Sequence, residues 1–142
     1  MIFKKPELED LPILRKYFEG LEFYNSGYTP GMMYLWAPFY NIEYAIVDDM
    51  VVCRAGKDKK RYSYPIGQGD AKAVLDQIIK ECEKDGTDFE MYGVTKDIEE
   101  KMVALYGDVF EVAYDRDNAD YVYLSEKLIS LSGKKLHSKR NH

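Results

Sequence analysis

Apolar positions recur along this chain with two periods, and the switches between them set the expected elements. Leu11, Leu14, Phe18 and Leu21 fall three or four residues apart, the spacing of one helical face. Asp10 stands where a carboxylate can cap that helix, acidic residues before it suit the helix dipole, and Pro12 fits a first turn whose N–H has no partner to lose. A second helix is expected from Thr29 through Met32, Met33, Leu35 and Trp36, with Pro38 ending it. Ala71, Val74, Leu75, Ile78, Ile79 and Cys82 mark a third stripe closed by Gly86, and Ile98, Met102, Leu105 and Tyr106 a fourth between a Thr95 cap and Gly107. Runs of β-branched and aromatic residues predict strands at 2–4, 42–47, 50–54, 61–64 and 88–94. The strands at 42–47 and 50–54 form a hairpin through Asp48-Asp49. A last antiparallel pair is expected at 109–114 and 120–124. The order is β-α-α-β-β-β-α-β-α-β-β, which is an α/β chain of the α+β kind with a mixed sheet.

Beyond residue 124 the pattern changes. Ser125 can cap a short helix carried by Leu124, Leu128 and Leu131, with Gly133 as its stop. Then comes a basic run, Lys134, Lys135, His137, Lys139 and Arg140. The expected division is therefore 1–124 for the α/β domain and 125–142 for a short helix and basic segment. Residues 127–142 hold five Lys/Arg and no acid, while the remainder holds 15 basic and 25 acidic residues. That asymmetry points to an anionic partner, to docking on the chain's own acidic surface, or to a solvated tail.

Composition excludes several chemistries. At 142 residues, 46% hydrophobic and 32% charged, the chain reads as one soluble domain. No apolar run approaches the roughly 20 residues of a membrane helix, and residues 1–6 lack the apolar stretch of a signal peptide. A cytoplasmic protein with no stable membrane insertion is expected. Cys53 and Cys82 cannot build a four-thiolate site and no C-x-x-C is present, so both read as buried thiols and no metal is expected. The two histidines are His137 and His142, which leaves the body without an imidazole for acid–base work, a Ser/His triad or metal ligation.

Four constellations could carry chemistry. Gly67-Gln68-Gly69 lies between a strand and a helix, where a glycine-rich turn lets backbone N–H groups approach the phosphates of a cofactor and the helix N-terminus adds a positive dipole end. The same residues also suit a plain tight turn, and Asp70 puts a carboxylate where the phosphate would sit. Glu43, Asp48, Glu90 and Tyr92 are candidates for a general base, with nothing to single one out, and acidic residues on strand edges mostly just face water. Tyr28, Tyr34, Trp36, Phe39 and Tyr40 either line a pocket or fill a core seam. Tyr121 and Tyr123 share a face of the expected last strand and either stack on a ligand or cover the sheet.

The segment 120–142, DYVYLSEKLISLSGKKLHSKRNH, resembles the signature of bacterial proteins related to the C-terminal domain of phosphatidylglycerol lysyltransferases. Trp36-Ala37-Pro38-Phe39-Tyr40 and Pro65-Ile66-Gly67-Gln68-Gly69-Asp70 match further stretches of that family. The resemblance implies a GNAT-like acyl-CoA N-acyltransferase fold, used in tandem, of which this chain matches the first half. It implies acyl or aminoacyl transfer, with acyl-CoA or aminoacyl-tRNA as donor and a lipid or amine as acceptor. Partners would be a second GNAT-like half or a second copy, and tRNA. Gly67, Gln68 and Gly69 would bind cofactor, and Lys134, Lys135, His137, Lys139 and Arg140 would bind phosphate at the seam. The alternative is a non-catalytic scaffold or ligand-binding module of the same fold.

Overall fold

Strand β2, Met50–Ala55, is the centre of the sheet because it bonds on both edges. β1, Glu43–Val47, runs antiparallel along one edge in the register Tyr44↔Cys53 and Val47↔Met50. β3, Arg61–Tyr62, and β4, Ile66–Gly67, share the other edge, also antiparallel. A computed structural model supplies this arrangement and describes residues 1–21, 25–131 and 138. It is a mixed α+β fold. Its α-helices among the described residues are α1 (Leu11–Phe18), α2 (Pro30–Tyr40), α3 (Ala71–Asp85), α4 (Lys96–Tyr106) and α5 (Ser125–Ser130), with short 3-10 turns at Leu8–Asp10 and Ser26–Tyr28. The chain divides into two units, Met1–Glu111 and Val112–His142.

Alternation along β2 distributes the core of the first unit. Val51 and Cys53 join Tyr44, and pack with Leu14 and Phe18 of α1, Met33 of α2, and Ile98 and Met102 of α4. Met50 and Val52 join Ala45 and pack with Val74, Ile78 and Cys82 of α3. Val51, Val52, Leu75, Ile78 and Ile98 are fully enclosed. Each such side chain contributes on the order of 1.5–3 kcal/mol by leaving water.

The hairpin turn forms where expected. Asp48 and Asp49 both take positive φ, 48° and 58°, the two-residue geometry whose twist matches the flanking strands. Aspartate tolerates this region better than most residues. Helix α3 also follows expectation, capped by the Asp70 carboxylate on the Ala73 N–H at 3.1 Å and closed by Gly86 at φ 67°. Thr95 caps α4 and Gly107 ends it. Cys53 and Cys82 are buried free thiols.

Several elements differ. The first expected strand is a single bridge, Lys4↔Tyr44, and the one expected at 88–94 is a single parallel bridge, Tyr62↔Met91. The expected pair at 109–114 and 120–124 is not formed: these residues carry no ladder, and Tyr114 and Tyr121 are almost wholly exposed. β propensity measures the fit to a half-buried pleated surface; of these residues Phe110 packs on Phe89 and Tyr106 of the first unit, and the rest are exposed. Pro38 does not end α2. The helix runs on to Tyr40 and stops at Asn41, which adopts φ 51°. Only a partial turn follows Pro38, so the lost N–H costs one bond near a terminus instead of one in mid-helix. The cap of α5 is Leu124, with no side-chain hydrogen bond, and Leu131 ends the helix at φ 46°. Gly133 lies outside the described residues.

Asp10 precedes α1 yet does not cap it. Its carboxylate takes the Lys4 ammonium at 2.7 Å and the Glu7 N–H at 2.9 Å. Burial pushes this carboxyl up, but hydrogen bonds from Lys4, the Glu7 backbone and Tyr44 outweigh it and hold it below its usual 3.8. A carboxyl lowered by folding stabilises fully above its unfolded value, and the contribution is lost as pH falls through the folded value. Asp10→Asn should therefore flatten the dependence of unfolding free energy on pH below about 4, measured by urea titration from near neutral into acid. An unchanged slope would assign the acid sensitivity to other carboxylates.

Candidate functional site

The chain from Arg61 to Gly67 follows β2 with one interruption. Between the pairs Arg54↔Tyr62 and Val51↔Ile66, three residues, Ser63, Tyr64 and Pro65, oppose two, Val52 and Cys53. This is a β-bulge, and Pro65 suits it because it has no N–H to pair. Ser63 repairs the ladder: its N–H donates to the Cys53 carbonyl, and its hydroxyl accepts the Cys53 N–H, both at 2.9 Å.

On its far side the same segment meets residues 90–92 in parallel. The Tyr62 N–H donates to the Glu90 carbonyl at 2.8 Å and the Tyr92 N–H to the Tyr62 carbonyl at 2.9 Å. Continuation would send the Tyr64 N–H to the Tyr92 carbonyl. Instead that N–H donates to the Tyr28 hydroxyl at 3.0 Å, and the Gly93 carbonyl accepts from the Asn25 amide at 3.3 Å. Tyr28, from the turn before α2, thus takes the N–H at which the parallel pairing stops, and Asn25 of the same turn holds the Gly93 carbonyl beside it. Asn25 is held by its own turn, its Oδ1 accepting the Gly27 N–H at 2.8 Å.

The groups at this gap are neutral hydrogen-bonding groups. Burial pushes the Tyr28 phenol up, the Tyr92 phenol well up and the Tyr64 phenol up. It pushes the Cys53 thiol up to about 12, against the Ser63 hydroxyl bond, which lowers it. At neutral pH the four keep their protons, so they supply neither a base nor a thiolate. Two of the carboxylates weighed as general bases, Glu43 and Glu90, are engaged by cations. Glu43 takes Arg54 at 2.7 Å with Lys60 at 3.8 Å, and Glu90 takes Lys59. Asp48 sits in the hairpin turn.

Gly67-Gln68-Gly69 lies flat on that hairpin turn. A Cβ on Gly67 would stand 2.0 Å from the Asp49 carbonyl oxygen, and one on Gly69 would stand 1.9 Å from that of Asp48. The Gln68 N–H donates to the Asp49 carbonyl at 3.2 Å, the Gly69 N–H approaches Met50 Sδ at 3.1 Å, and Asp70 occupies the first turn of α3. Two donors that a pyrophosphate would need are turned to the hairpin, and a carboxylate stands at the helix start. Lys134, Lys135, His137, Lys139 and Arg140 lie outside the described residues. Tyr121 and Tyr123 are exposed and unpaired in any strand. Among the described residues no group of three His, Cys, Asp or Glu could hold a metal ion, and no helix is long and apolar enough to cross a membrane. A shallow groove of about 500 Å³ on the outer face of α3 is lined by Ala73, Asp76, Gln77, Lys80, Glu81 and Lys84. Its Asp76 is already held by Lys72 and the Tyr106 hydroxyl.

Residues 18–142 match the family model described as phosphatidylglycerol lysyltransferase, C-terminal. The chain belongs to that family. No curated protein matches it. Among solved structures it is similar to a conserved protein of unknown function from Bacteroides thetaiotaomicron VPI-5482, at 32% identity and a TM-score of 0.88. The alignment covers all of this chain and 49% of that one, so this chain spans about half the length of that relative. Sequence reasoning singled out Tyr28 as a pocket or core aromatic, and the structure buries it in the core; it missed Asn25 and the Ser63–Tyr64 bulge, for which Pro65, next to the expected strand, was the available signal.

Two substitutions test this geometry. Tyr28→Phe should cost about 1–3 kcal/mol, because the Tyr64 N–H loses its acceptor in a buried place. Gly69→Ala should cost at least about 2 kcal/mol, because backbone carbonyls cannot yield as a flexible side chain can. Chemical denaturation measures both, and wild-type stability in either variant would refute the corresponding contact.

Proposed function

We propose that this chain is the first half of a GNAT-like transferase that moves an acyl or aminoacyl group to a lipid or amine acceptor on the cytoplasmic side. The observation that carries this reading is the strand–helix–strand unit of β3–β4, α3 and residues 90–92. Its parallel pairing stops at Tyr62 and gives way at Tyr64, in a chain whose family description is a lysyltransferase domain. The gap supplies phenols and backbone groups that position a ligand. The proton acceptor then comes from a second GNAT-like half or a second copy, which fits a relative about twice as long.

Of the two donors, aminoacyl-tRNA is favoured over acyl-CoA. The glycine turn at 67–69 has two N–H groups committed to the hairpin, whereas Lys134, Lys135, Lys139 and Arg140 are cationic and, with His137, suited to phosphates. The second reading is a scaffold without activity of its own. It is favoured by the same glycine turn, which serves the packing of the hairpin, and by the neutral phenols.

Thermal shift with aminoacyl-tRNA and, separately, acyl-CoA distinguishes them. On the transferase reading aminoacyl-tRNA raises the melting temperature at concentrations near its Kd. Lys135→Glu combined with Lys139→Glu weakens that binding and makes its salt dependence shallower. No shift with either ligand favours the scaffold, and a shift with acyl-CoA alone restores the glycine turn as a phosphate site.

A further inference from the structure

Helix α2 reads PGMMYLWAPFY and has no charged residue. Met33 and Ala37 account for its buried face. Met32, Leu35, Trp36, Phe39 and Tyr40 recur at helical spacing on the outside, with Leu35 63%, Phe39 70% and Tyr40 59% exposed. Trp36 gathers the rings, its centroid 5.6 Å from both Phe39 and Tyr40. A helix that is apolar on every side ordinarily has a partner on every side.

The surroundings say which partner. The Gly56 N–H donates to the Tyr40 carbonyl at 2.9 Å, and the Asn41 amide donates to the Gly56 carbonyl at 3.1 Å. These bonds fix the β2–β3 loop at the C-terminal end of the ridge, and that loop continues Lys57-Asp58-Lys59-Lys60-Arg61. Lys59 is shared with Glu90, and Lys60 with Glu43 and the Gly56 carbonyl. Protein–protein contacts favour aromatic residues but are depleted in lysine. Tryptophan and tyrosine beside lysines match a bilayer surface, where rings settle at headgroup level and ammonium groups meet phosphates.

We propose that the outer ridge of α2, with the lysine loop beside it, is a peripheral docking face for an anionic bilayer. The rings of Trp36, Phe39 and Tyr40 enter the headgroup boundary, and Lys57 lies over the phosphates. This rests on the proposed lipid acceptor, which the module has to meet at the membrane surface.

Trp36 is the only tryptophan in the chain, so its emission reports on the ridge directly. The full chain is titrated with phosphatidylcholine vesicles, with and without phosphatidylglycerol. On vesicles containing phosphatidylglycerol the emission should move to the blue and be quenched by lipids brominated in the acyl chains, with a weaker response to phosphatidylcholine alone and to high salt. Leu35→Glu with Phe39→Glu should lower vesicle affinity by at least about tenfold, with the melting temperature nearly unchanged because both sites are exposed. Lys57→Glu should remove part of the preference for phosphatidylglycerol. Emission that ignores the vesicles overturns the proposal. So does a blue shift that depends on protein concentration alone, with sedimentation at twice the mass, which gives the face to a second copy. A response to free glycerol phosphate equal to that with vesicles makes it a small-anion site instead. Vesicle binding without any tRNA response leaves the docking face standing and counts against the transferase reading, and the reverse result does the opposite.

Discussion

The bulge at Ser63–Pro65 is the constraint on which the first unit depends. β2 must be bonded on both edges, yet the segment on its second edge contains a proline and one residue too many. Ser63 solves the first problem by lending its hydroxyl to the Cys53 N–H. Tyr28 solves the second by accepting the Tyr64 N–H that the bulge turns away from β2. Once the bulge is fixed, Ile66 and Gly67 return to register beside Val51 and Met50. Gly67 and Gly69 then land on the hairpin carbonyls, and α3 starts from that point. An unpaired N–H in this interior costs about 1–3 kcal/mol, a large share of the stability of a small domain, so these side chains are structural before they are anything else.

The same feature shapes the candidate site. Parallel pairing with residues 90–92 ends because the Tyr64 N–H has been taken by a phenol. The break is lined by Tyr28, Tyr64 and Cys53, which are buried, and burial keeps these groups protonated.

Residues 1–126 hold 15 basic and 25 acidic residues, and some of the cations are paired, as in Lys4 with Asp10, Arg54 with Glu43 and Lys72 with Asp76. Residues 127–142 hold five Lys/Arg and no acid, and in the loop after Gly56 Lys57 stands beside Lys59 and Lys60, which are paired with Glu90 and Glu43.

Local signals in the sequence determined the helices α3 and α4 with their caps, the Asp48-Asp49 hairpin, the buried thiols and the family. Each of these rests on periodicity, on a capping side chain or on a motif, and all three act within a few residues. The terminal motif identified the family because its residues are close together in the chain. The tertiary structure alone decided the rest. Pro38 is tolerated because Asn41 closes the helix just beyond it. The strand-like residues at 109–114 and 120–124 form no strand ladder because a ladder needs a partner edge, which propensity cannot supply. Gly67-Gln68-Gly69 looks like a phosphate loop in the sequence, and only the folded hairpin shows that two of its N–H groups already have acceptors. The meeting of Tyr28 with Tyr64 joins residues 36 apart in the chain, a distance over which no local pattern carries information.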